Sequence, residues 1–590
     1  MWLKKAKRAH GRTYLSIVQN YRKPEDGKTT TRTLVSCGYL DELEKEYDDP
    51  VAHFEALAAE MTAEHEAASA PATIEIHPAQ KIDKRAVNRK NVGAAVLKRV
   101  YDALGAEKAL RNATAGCGAS YDHAAVMRLL VLERLLDPGS KLAAWRGREG
   151  YFMRSDFSDD DLYRALDGIA AARDGIVAAA NRSVERRWGR DVSNVFYDVT
   201  NYYFERDPDD GPEGLVKMGV CKEGRPNPIV QMGLLQDADA IPISYRLHAG
   251  NTADCDTMMP ALADMKRDLG VRGVTAVADK GLNCSKNMAA LVAGGDHFVF
   301  SQSIRGTKSA CGVRARALDP SGYVEVGDAD GGPTFRRKSW QGVKTVHLKA
   351  EDTADGKARD VDIEVKFVAF WSRKYERRAR AQREKVLEKS RELVASPGKY
   401  TRATHYGAAK YVRGIAFDKK TGEVIESGAK PELDLEAIAE AEACDGYYLI
   451  VTSHTDWDDG RIIDTYRGLW QIEESFKVAK SELDTRPVFV WTPEHVEAHF
   501  LTCYIALVIL RILQKLCPGR PSAGAILDDL RKVECSADEA NWWLFDYRSD
   551  LTEQLFSLVG LEHPLKHMQT GDIRKMMQKD DSWAPTRKKS

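Results

Sequence analysis

The stretch Val195-Phe196-Tyr197-Asp198-Val199-Thr200 decides the fold, because the chain changes here from helical to strand-forming sequence. β-Branched and aromatic side chains dominate these positions, which is typical of a buried strand. Upstream, over residues 92–190, apolar residues recur mostly at helical spacing. An α/β region therefore follows a mainly helical one.

Further strands are predicted downstream of this stretch. Residues 229–235 and 241–247 are apolar runs, and 274–279 and 297–301 follow, each preceded by a helical segment. The resulting order is three strands in a meander, then helix, strand, helix, strand. This order predicts a mixed α/β sheet.

The remaining sequence is arranged around this sheet. After residue 305 the chain becomes β-rich and then forms a long basic helix, which indicates an insertion, and a strand at 447–453 resumes the sheet. The expected organisation is a small β element (1–45), a mainly helical DNA-binding or structural domain (46–190), the first part of the core (191–305), the insertion with its basic helix (306–444), the second part of the core (445–516), and a helical C-terminal region that is a candidate for dimerisation (517–590).

Residues 466–480 are predicted to form one helix that sorts its side chains onto two faces. At 100° per residue, an arc of about 80° contains Tyr466, Trp470, Glu473, Lys477 and Lys480. An adjoining apolar stripe contains Leu469, Ile472, Phe476, Ala479 and Leu483. The stripe can anchor the helix while the other face meets a ligand. On this segment alone, an ordinary amphipathic helix with exposed charge is an equally good interpretation.

Composition excludes several classes of protein. The chain has 590 residues, of which 43% are hydrophobic, so two to four domains are expected. Lys plus Arg (87) and Asp plus Glu (88) nearly cancel, so a DNA-binding function would depend on local basic patches. Ten cysteines without a Cys-x-x-Cys pair argue against a zinc ribbon or a disulfide framework. Residues 500–510 are too short a run to span a membrane, so we expect a cytoplasmic, nucleoid-associated protein.

Three carboxylates are candidates for a metal site. Asp198 lies within the first strand, Asp279 ends a later buried strand, and Glu473 comes from the helix after the insertion. Each acid alone is more often a cap or turn residue. Together they suit two Mg²⁺ ions, with Mn²⁺ as a substitute, because hard cations prefer oxygen ligands and two-metal sites serve phosphodiester chemistry.

Several blocks of sequence together resemble the DDE transposases of bacterial insertion sequences. The blocks are residues 196–200, 250–254, 277–282, 466–480 and 486–488. The likeness is closest to the subgroup whose RNase H-like core is split by a β-rich insertion, and it covers residues 194–505. It implies an α/β fold with an RNase H-like mixed-sheet catalytic core, a helical N-terminal domain and a helical C-terminal region.

The resemblance also implies roles for individual residues. It assigns Asp198, Asp279 and Glu473 as catalytic and metal-binding residues, while Glu474 is rotated off the functional face. Leu469 stands where the family has an arginine, so a phosphate contact from that position is not expected.

The other predicted contacts involve DNA. Lys477 and Lys480 are expected to neutralise phosphates near the cleavage point, and Tyr466 to contact the DNA backbone. Trp470 is a candidate for stacking on DNA, although packing against another helix is an equally good interpretation.

The basic helix offers Arg377, Arg378 and Arg380 as DNA contacts, and a purely solvated helix is the alternative. The resemblance further implies an aromatic residue that holds a flipped base. Trp340, Trp371 and Trp457 are the candidates.

The function that these features predict is cut-and-paste DNA transposition by metal-dependent phosphodiester hydrolysis and strand transfer. The resemblance implies a hairpin intermediate and a homodimer that joins two terminal inverted repeats before attacking target DNA. The alternatives are an RNase H-like nuclease without strand transfer and a catalytically decayed protein that only binds DNA.

Overall fold

The structure, a computed structural model, describes residues 1–8, 11–22, 29–67, 79, 81–82, 84, 86–206, 209–211, 213–219, 221–222, 225–305, 311–328, 332–353, 355–396, 407–414, 416–417, 424–425, 430–578 and 583. The chain forms two units, Met1–Ile82 and Asp83–Ser590.

The first unit is a small antiparallel sheet with two helices. Its elements are β1 (Trp2–Lys7), β2 (Thr13–Arg22), β3 (Thr29–Tyr39), α1 (Leu40–Leu43) and α2 (Pro50–Ala67). The strands lie in the order β1-β2-β3. Leu15, Leu43 and Phe54 form its core, so the sheet buries one face against the helices.

The second unit begins with a short strand and a group of helices. These elements are β4 (Arg89–Asn91), α3 (Ala94–Leu104), α4 (Ala106–Thr114), α5 (His123–Leu136), α6 (Lys141–Gly147), α7 (Asp159–Ala171) and α8 (Arg173–Trp188). Side-chain caps fix several helix starts: Asp122 caps α5, Ser140 caps α6, and Ser158 forms a capping box with Asp161 in α7.

The mixed sheet follows directly. Its first elements are β5 (Asn194–Tyr203), β6 (Ile229–Gln236), β7 (Pro242–Ala249), α9 (Met258–Leu269), β8 (Thr275–Ala278), α10 (Ser285–Ala293) and β9 (His297–Ser301). Strands β5, β6 and β7 form an antiparallel meander, while β8 is parallel to both β5 and β9. This is the predicted order, and it confirms the RNase H-like mixed α/β core.

The segment between the two parts of the core contains both strands and helices. Its elements are α11 (Cys311–Leu318), β10 (Val324–Asp328), β11 (Gly332–Leu348), β12 (Arg359–Ser372), α12 (Arg373–Ala395), β13 (Val412–Arg413), β14 (Ala416–Phe417), β15 (Val424–Ile425), β16 (Glu432–Leu433) and α13 (Leu435–Ala443). The basic helix is α12, as its charge pattern predicts.

The chain then returns to the sheet and ends in a mixed region. The elements are β17 (Tyr447–Thr452), α14 (Asp459–Arg467), α15 (Trp470–Ser481), α16 (Pro493–Leu516), α17 (Ala523–Lys532), β18 (Glu534–Ala537), β19 (Trp542–Phe545), α18 (Asp550–Leu558), β20 (His567–Gln569) and α19 (Thr570–Met576). The C-terminal region has the expected helices and also three short strands, which pair with β4 as β20-β19-β18-β4.

The central sheet has nine strands in the order β10-β11-β12-β17-β9-β8-β5-β6-β7. Strands β10 to β12 therefore extend the core sheet through β17, because β12 and β9 both pair with β17. Side chains alternate between its two faces: Phe196 and Val277 belong to the core that includes α16, whereas Val195 and Ala276 belong to the core that includes α9 and α10.

Helix α16 is the central helix of the first of these cores. Its length and composition would allow it to cross a membrane, but 94% of its most apolar window is buried inside the protein. It is therefore a core helix. The nine cysteines whose side chains the structure describes are all free.

Candidate active site

Asp198 and Asp279 occupy equivalent positions on adjacent parallel strands. Phe196 of β5 is the register partner of Val277 of β8, and each aspartate lies two residues further along its chain. Because side chains alternate along a strand, both carboxylates belong to the face that carries Phe196 and Val277. Adjacent strands are about 4.8 Å apart, so this register brings the two acids to the same level of the sheet.

Helix α15 lies along β5 on the same face. Gly468, just before the helix, approaches the Phe196 ring so closely that an added Cβ would lie 2.7 Å from its Cζ. At the other end, Lys480 Nζ donates a hydrogen bond to Thr200 Oγ1 at 2.9 Å. Glu473 lies between these two contacts on the helix, as Asp198 does on the strand. The helix therefore carries Glu473 past the level of Asp198.

The segment predicted as one helix is in fact two. α14 ends at Arg467 and α15 begins at Trp470, with a turn at Gly468 and Leu469. The close approach to Phe196 explains the glycine at position 468, because no side chain fits between the turn and β5. The predicted apolar stripe is confirmed, since Leu469, Ile472, Phe476, Ala479 and Leu483 are all buried.

Asp198 is largely buried, and its environment disfavours the charged form. The pKa of Asp198 is raised to about 6, chiefly by burial and to a smaller extent by the negative charges of Asp279 and Glu473. The Lys222 ammonium and a hydrogen bond from the Val199 N–H act in the opposite direction. The three predicted acids therefore share one electrostatic environment.

Asp279 is held at the edge of an open cleft. Ser301 Oγ donates to Asp279 Oδ1 at 2.9 Å, and the Tyr466 hydroxyl donates to the same oxygen at 3.4 Å. Burial raises the pKa of Tyr466 well above its usual value. The cleft has a volume of about 560 Å³, and both Asp279 and Glu473 line it. Tyr466, predicted to contact DNA, thus lies against a candidate metal ligand.

A residue that sequence reasoning missed lies beside Asp198. Lys222, in the connection between β5 and β6, donates to the Val199 carbonyl at 2.5 Å. Its charge also helps to lower the pKa of Lys480 to about 8, although burial is the larger cause. No motif marks Lys222 in the sequence, because its contact depends on how the connection folds back over β5.

The two neighbouring glutamates of α15 face different surroundings. Glu473 is exposed, whereas Glu474 forms an ion pair with the buried guanidinium of Arg511 at 3.7 Å. Arg511 also donates to Ser475 Oγ, which ties this side of the helix to α16. The arrangement agrees with the preference for Glu473, since Glu474 serves in packing.

Two other predicted DNA contacts on α15 are accessible. Trp470 is 57% exposed, so it does not serve as a helix-packing residue here, and Lys477 is also exposed. The accessible face therefore keeps the polar and aromatic character expected from the sequence.

The three arginines of α12 are not equivalent. Arg378 lines the cleft that contains Asp279 and Glu473. Arg380 lies 3.5 Å from Glu376 in an ion pair and lines a neighbouring cavity. Arg377 is exposed outside both cavities. Among these arginines, Arg378 is the one that the fold brings to the acids.

The three candidate tryptophans lie in different places. Trp371 pairs with Tyr447, which lines the cleft. Trp340 stacks on Phe367 within the extended part of the sheet. Trp457 stacks on His454 at the opposite sheet edge, where His454 contacts Thr275 at the start of β8. Trp371 is therefore the tryptophan nearest to the Asp279 edge in the sheet.

The three acids are candidate metal ligands. Within the described ranges, no group of three or more His, Cys, Asp and Glu side chains is arranged to hold a metal ion. The donor chemistry nevertheless fits a hard divalent cation, because the carboxylates of Asp198, Asp279 and Glu473 interact electrostatically and Asp198 is largely buried. A cation would relieve the repulsion among them.

Comparison with known proteins gives two family matches. Residues 3–72 match the IS1634 family transposase N-terminal domain, and residues 228–509 match the transposase DDE domain. The second range contains Asp279, Glu473 and Lys480 and begins after Asp198. DDE transposase domains generally depend on divalent metals. No curated protein matches the chain.

One solved structure with a similar chain trace is a cryo-EM structure of a piggyBac transposase synaptic complex with hairpin DNA. The identity is 8% and the TM-score is 0.35, with coverage of 84% of this chain and 85% of the other. The two family matches lie in the N-terminal unit and over the core from the start of β6 into α16. On this basis, the chain is a DDE transposase of an insertion sequence.

Proposed function

We propose that this transposase moves its element by a cut-and-paste mechanism, with cleavage at the element ends and transfer of the freed 3′-hydroxyl to target DNA. The observation that carries the proposal is the common level of Asp198 and Asp279 on parallel strands, with Glu473 on the helix alongside. Two-metal phosphodiester chemistry uses bound cations to stabilise the attacking and leaving oxygens, and such a group of carboxylates could hold them.

Asp198, Asp279 and Glu473 would hold the metal ions, with Mg²⁺ as the expected cation and Mn²⁺ as a substitute. Bound cations supply Lewis acidity for phosphodiester hydrolysis. Tyr466 and Ser301 orient Asp279 by donating to its carboxylate. Lys222 and Lys480 place positive charge beside Asp198, where a phosphate of the DNA would enter.

The DNA path in this proposal runs across the open cleft. Arg378 lies in the cleft, and Trp470 and Lys477 are accessible on α15, so these side chains would contact the terminal inverted repeat. Trp371 is our candidate for holding a flipped base in a hairpin intermediate. The active assembly would be a homodimer that joins two element ends.

The catalytic assignment is tested with Asp198→Ala, Asp279→Ala and Glu473→Ala. Each variant is expected to lose Mg²⁺-dependent cleavage of element-end DNA while it still binds that DNA, because the carboxylates act on the cation and not on the sequence. Glu474→Gln is the matched control, since its side chain pairs with Arg511. Full cleavage by one of the alanine variants would remove that residue from the site.

A separate assay distinguishes transposition from simple hydrolysis. Precut element ends and plasmid target are incubated with the wild-type protein and Mg²⁺. Joined product is expected for a transposase, whereas an RNase H-like nuclease would yield only hydrolysed DNA. A decayed protein that only binds DNA would give neither product but would retard the ends in a gel.

A further inference from the structure

The segment between α15 and α16 exposes two aromatic side chains on one side. Phe489 is 55% exposed and Trp491 is 52% exposed, while the alternating Val488 and Val490 are almost fully buried. This is the alternation of an extended segment with one face on the core. Among the described tryptophan and phenylalanine side chains, the other exposed ones are Trp470 (57%) and Trp2 (44%).

An arginine side chain lies beside the Trp491 ring. The Arg206 guanidinium lies 5.5 Å from the centre of the Trp491 ring and the same distance from the buried Phe204 ring. Such cation–π contacts restrain the ring while leaving its other side accessible. Trp491 is therefore preorganised as a flat surface.

More positive charge lies close to this segment. The exposed Arg225 lies 4.3 Å from the centre of the Tyr203 ring, and Arg486 lies 6.0 Å from the same ring. Arginine stacked beside exposed aromatic rings is the combination that single-stranded nucleic acid recognises, because bases stack while phosphates are neutralised.

The segment is continuous with the candidate active site. The Val488 N–H donates to the Tyr203 carbonyl at 3.4 Å, which ties the segment to the end of β5. From Asp198 to Tyr203 the strand rises about 16 Å. One strand of duplex DNA carries a phosphate about every 3.4 Å, so this span corresponds to about five nucleotides.

We infer that Phe489 and Trp491 form an aromatic platform that stacks on unpaired bases of the DNA about five nucleotides from the cleaved phosphate, on the Lys480 side of the site. The inference rests on the proposed function and adds a second DNA-binding surface to it. The occupant is DNA because arginines flank the rings and the platform continues from the strand that carries Asp198.

The test uses a set of element-end duplexes, each with a single 2-aminopurine. Across the set, the probe lies from about three to about seven nucleotides from the cleavage phosphate, on either side. Wild-type protein is expected to change the fluorescence of the probe near position five, because the base stacks on a protein ring. The double variant Phe489→Ala/Trp491→Ala should abolish that change and weaken binding about tenfold or more.

Two further proteins separate stacking from folding. Phe489→Tyr/Trp491→Phe keeps an aromatic ring at each position, so this variant is expected to retain the fluorescence change that the double-alanine variant loses. Leu565→Ala removes an exposed apolar side chain elsewhere, 68% exposed in the wild-type protein, and should behave like wild type. Equal affinity and fluorescence for the wild-type and double-alanine proteins would overturn the platform.

The remaining outcomes are also decisive. If the double-alanine variant keeps its DNA signal but changes from dimer to monomer in light scattering, the rings contact a second copy of the chain and the inference is wrong. If the wild-type protein cleaves element ends but gives no local fluorescence change, only the platform fails. If it neither binds nor cleaves them, the proposed function fails as well.

Discussion

Lys480 Nζ donates a hydrogen bond to Thr200 Oγ1 at 2.9 Å, and this contact links the helix of Glu473 to the strand of Asp198. The two side chains are far apart in sequence, and the contact places the lysine charge beside the acids. Burial lowers the pKa of Lys480 to about 8, so the ammonium form predominates below that pH. The contact therefore bears on both positioning and phosphate binding.

We predict that Lys480→Met lowers the rate of element-end cleavage about tenfold or more, because a charged hydrogen bond to phosphate is lost. The measurement is single-turnover cleavage at saturating protein. Thr200→Val is the matched control, since it removes the lysine's partner but keeps the charge, and its effect should be clearly smaller. Equal losses in both variants would mean that Lys480 acts only through Thr200.

Gly468→Ala should disturb the site without altering any acid. The new Cβ would meet the Phe196 ring at 2.7 Å, so the turn must move away from β5 and carry α15 with it. We expect a loss of about 1–3 kcal/mol in the free energy of unfolding, together with slower cleavage. Urea denaturation and the cleavage assay measure the two effects.

A second substitution is expected to offset part of the effect of Gly468→Ala. Phe196→Leu in the Gly468→Ala background shortens the opposing ring and should restore part of both quantities. Gly175→Ala provides the control, because no atom lies within 4 Å of its added Cβ. A Gly468→Ala protein with wild-type stability and rate would contradict the close contact.

Replacement of Arg377, Arg378 and Arg380 by glutamine should flatten the salt dependence of DNA binding. Each lost phosphate contact lowers the slope of log affinity against log salt by about 1. Arg378→Gln alone should have the largest single effect because it lines the cleft, whereas Arg380 pairs with Glu376. An unchanged slope for the triple variant would separate α12 from the DNA.

Lys141 is predicted to make stability depend on pH. It lies 2.5 Å from His499 Nδ1, and burial lowers the pKa of Lys141 to about 7. Between about pH 7 and the unfolded value near 10.4, the unfolded chain holds a proton that the folded protein lacks. The Lys141 contribution to stability therefore rises with pH through this window and is lost as pH falls towards 7.

Lys141→Met removes the titrating group and with it the pH dependence that it adds to the free energy of unfolding. The variant should be more stable than wild type at pH 7, and its advantage should shrink by about 1 kcal/mol per pH unit up to pH 10. Urea denaturation at each pH measures the difference. Lys108→Met, which alters an exposed lysine, should show no such trend. A constant difference across the window would show that Lys141 stays protonated in the folded protein.

Local sequence patterns predicted much of the core because they report short-range preferences. β-Branched and aromatic residues around Asp198 predicted a strand, and the meander followed by two helix–strand pairs predicted a mixed α/β sheet, which the strand order confirms. The helical spacing from Leu469 to Leu483 predicted the buried stripe. The catalytic roles of Asp198, Asp279 and Glu473 remain predictions.

Other features depend on contacts between distant segments. The turn at Gly468 packs closely against Phe196, which lies on another element and is far away in sequence. Periodicity at 466–480 continues through the turn and so gives no sign of it. Lys222 carries no motif, and its place beside Asp198 appears only when the connection after β5 folds back.

By itself, the sequence predicted the order of strands and helices in the core and indicated three candidate acids, because these follow from side-chain type and spacing along one segment. Its sequence blocks also carried the resemblance to the family. Only the tertiary structure decided that Asp198 and Asp279 share a level, that Arg378 lines the cleft of Asp279 and Glu473, and that Phe489 and Trp491 remain exposed. These relations depend on strand register and on which surfaces the packed core leaves accessible, and neither is encoded in a local pattern.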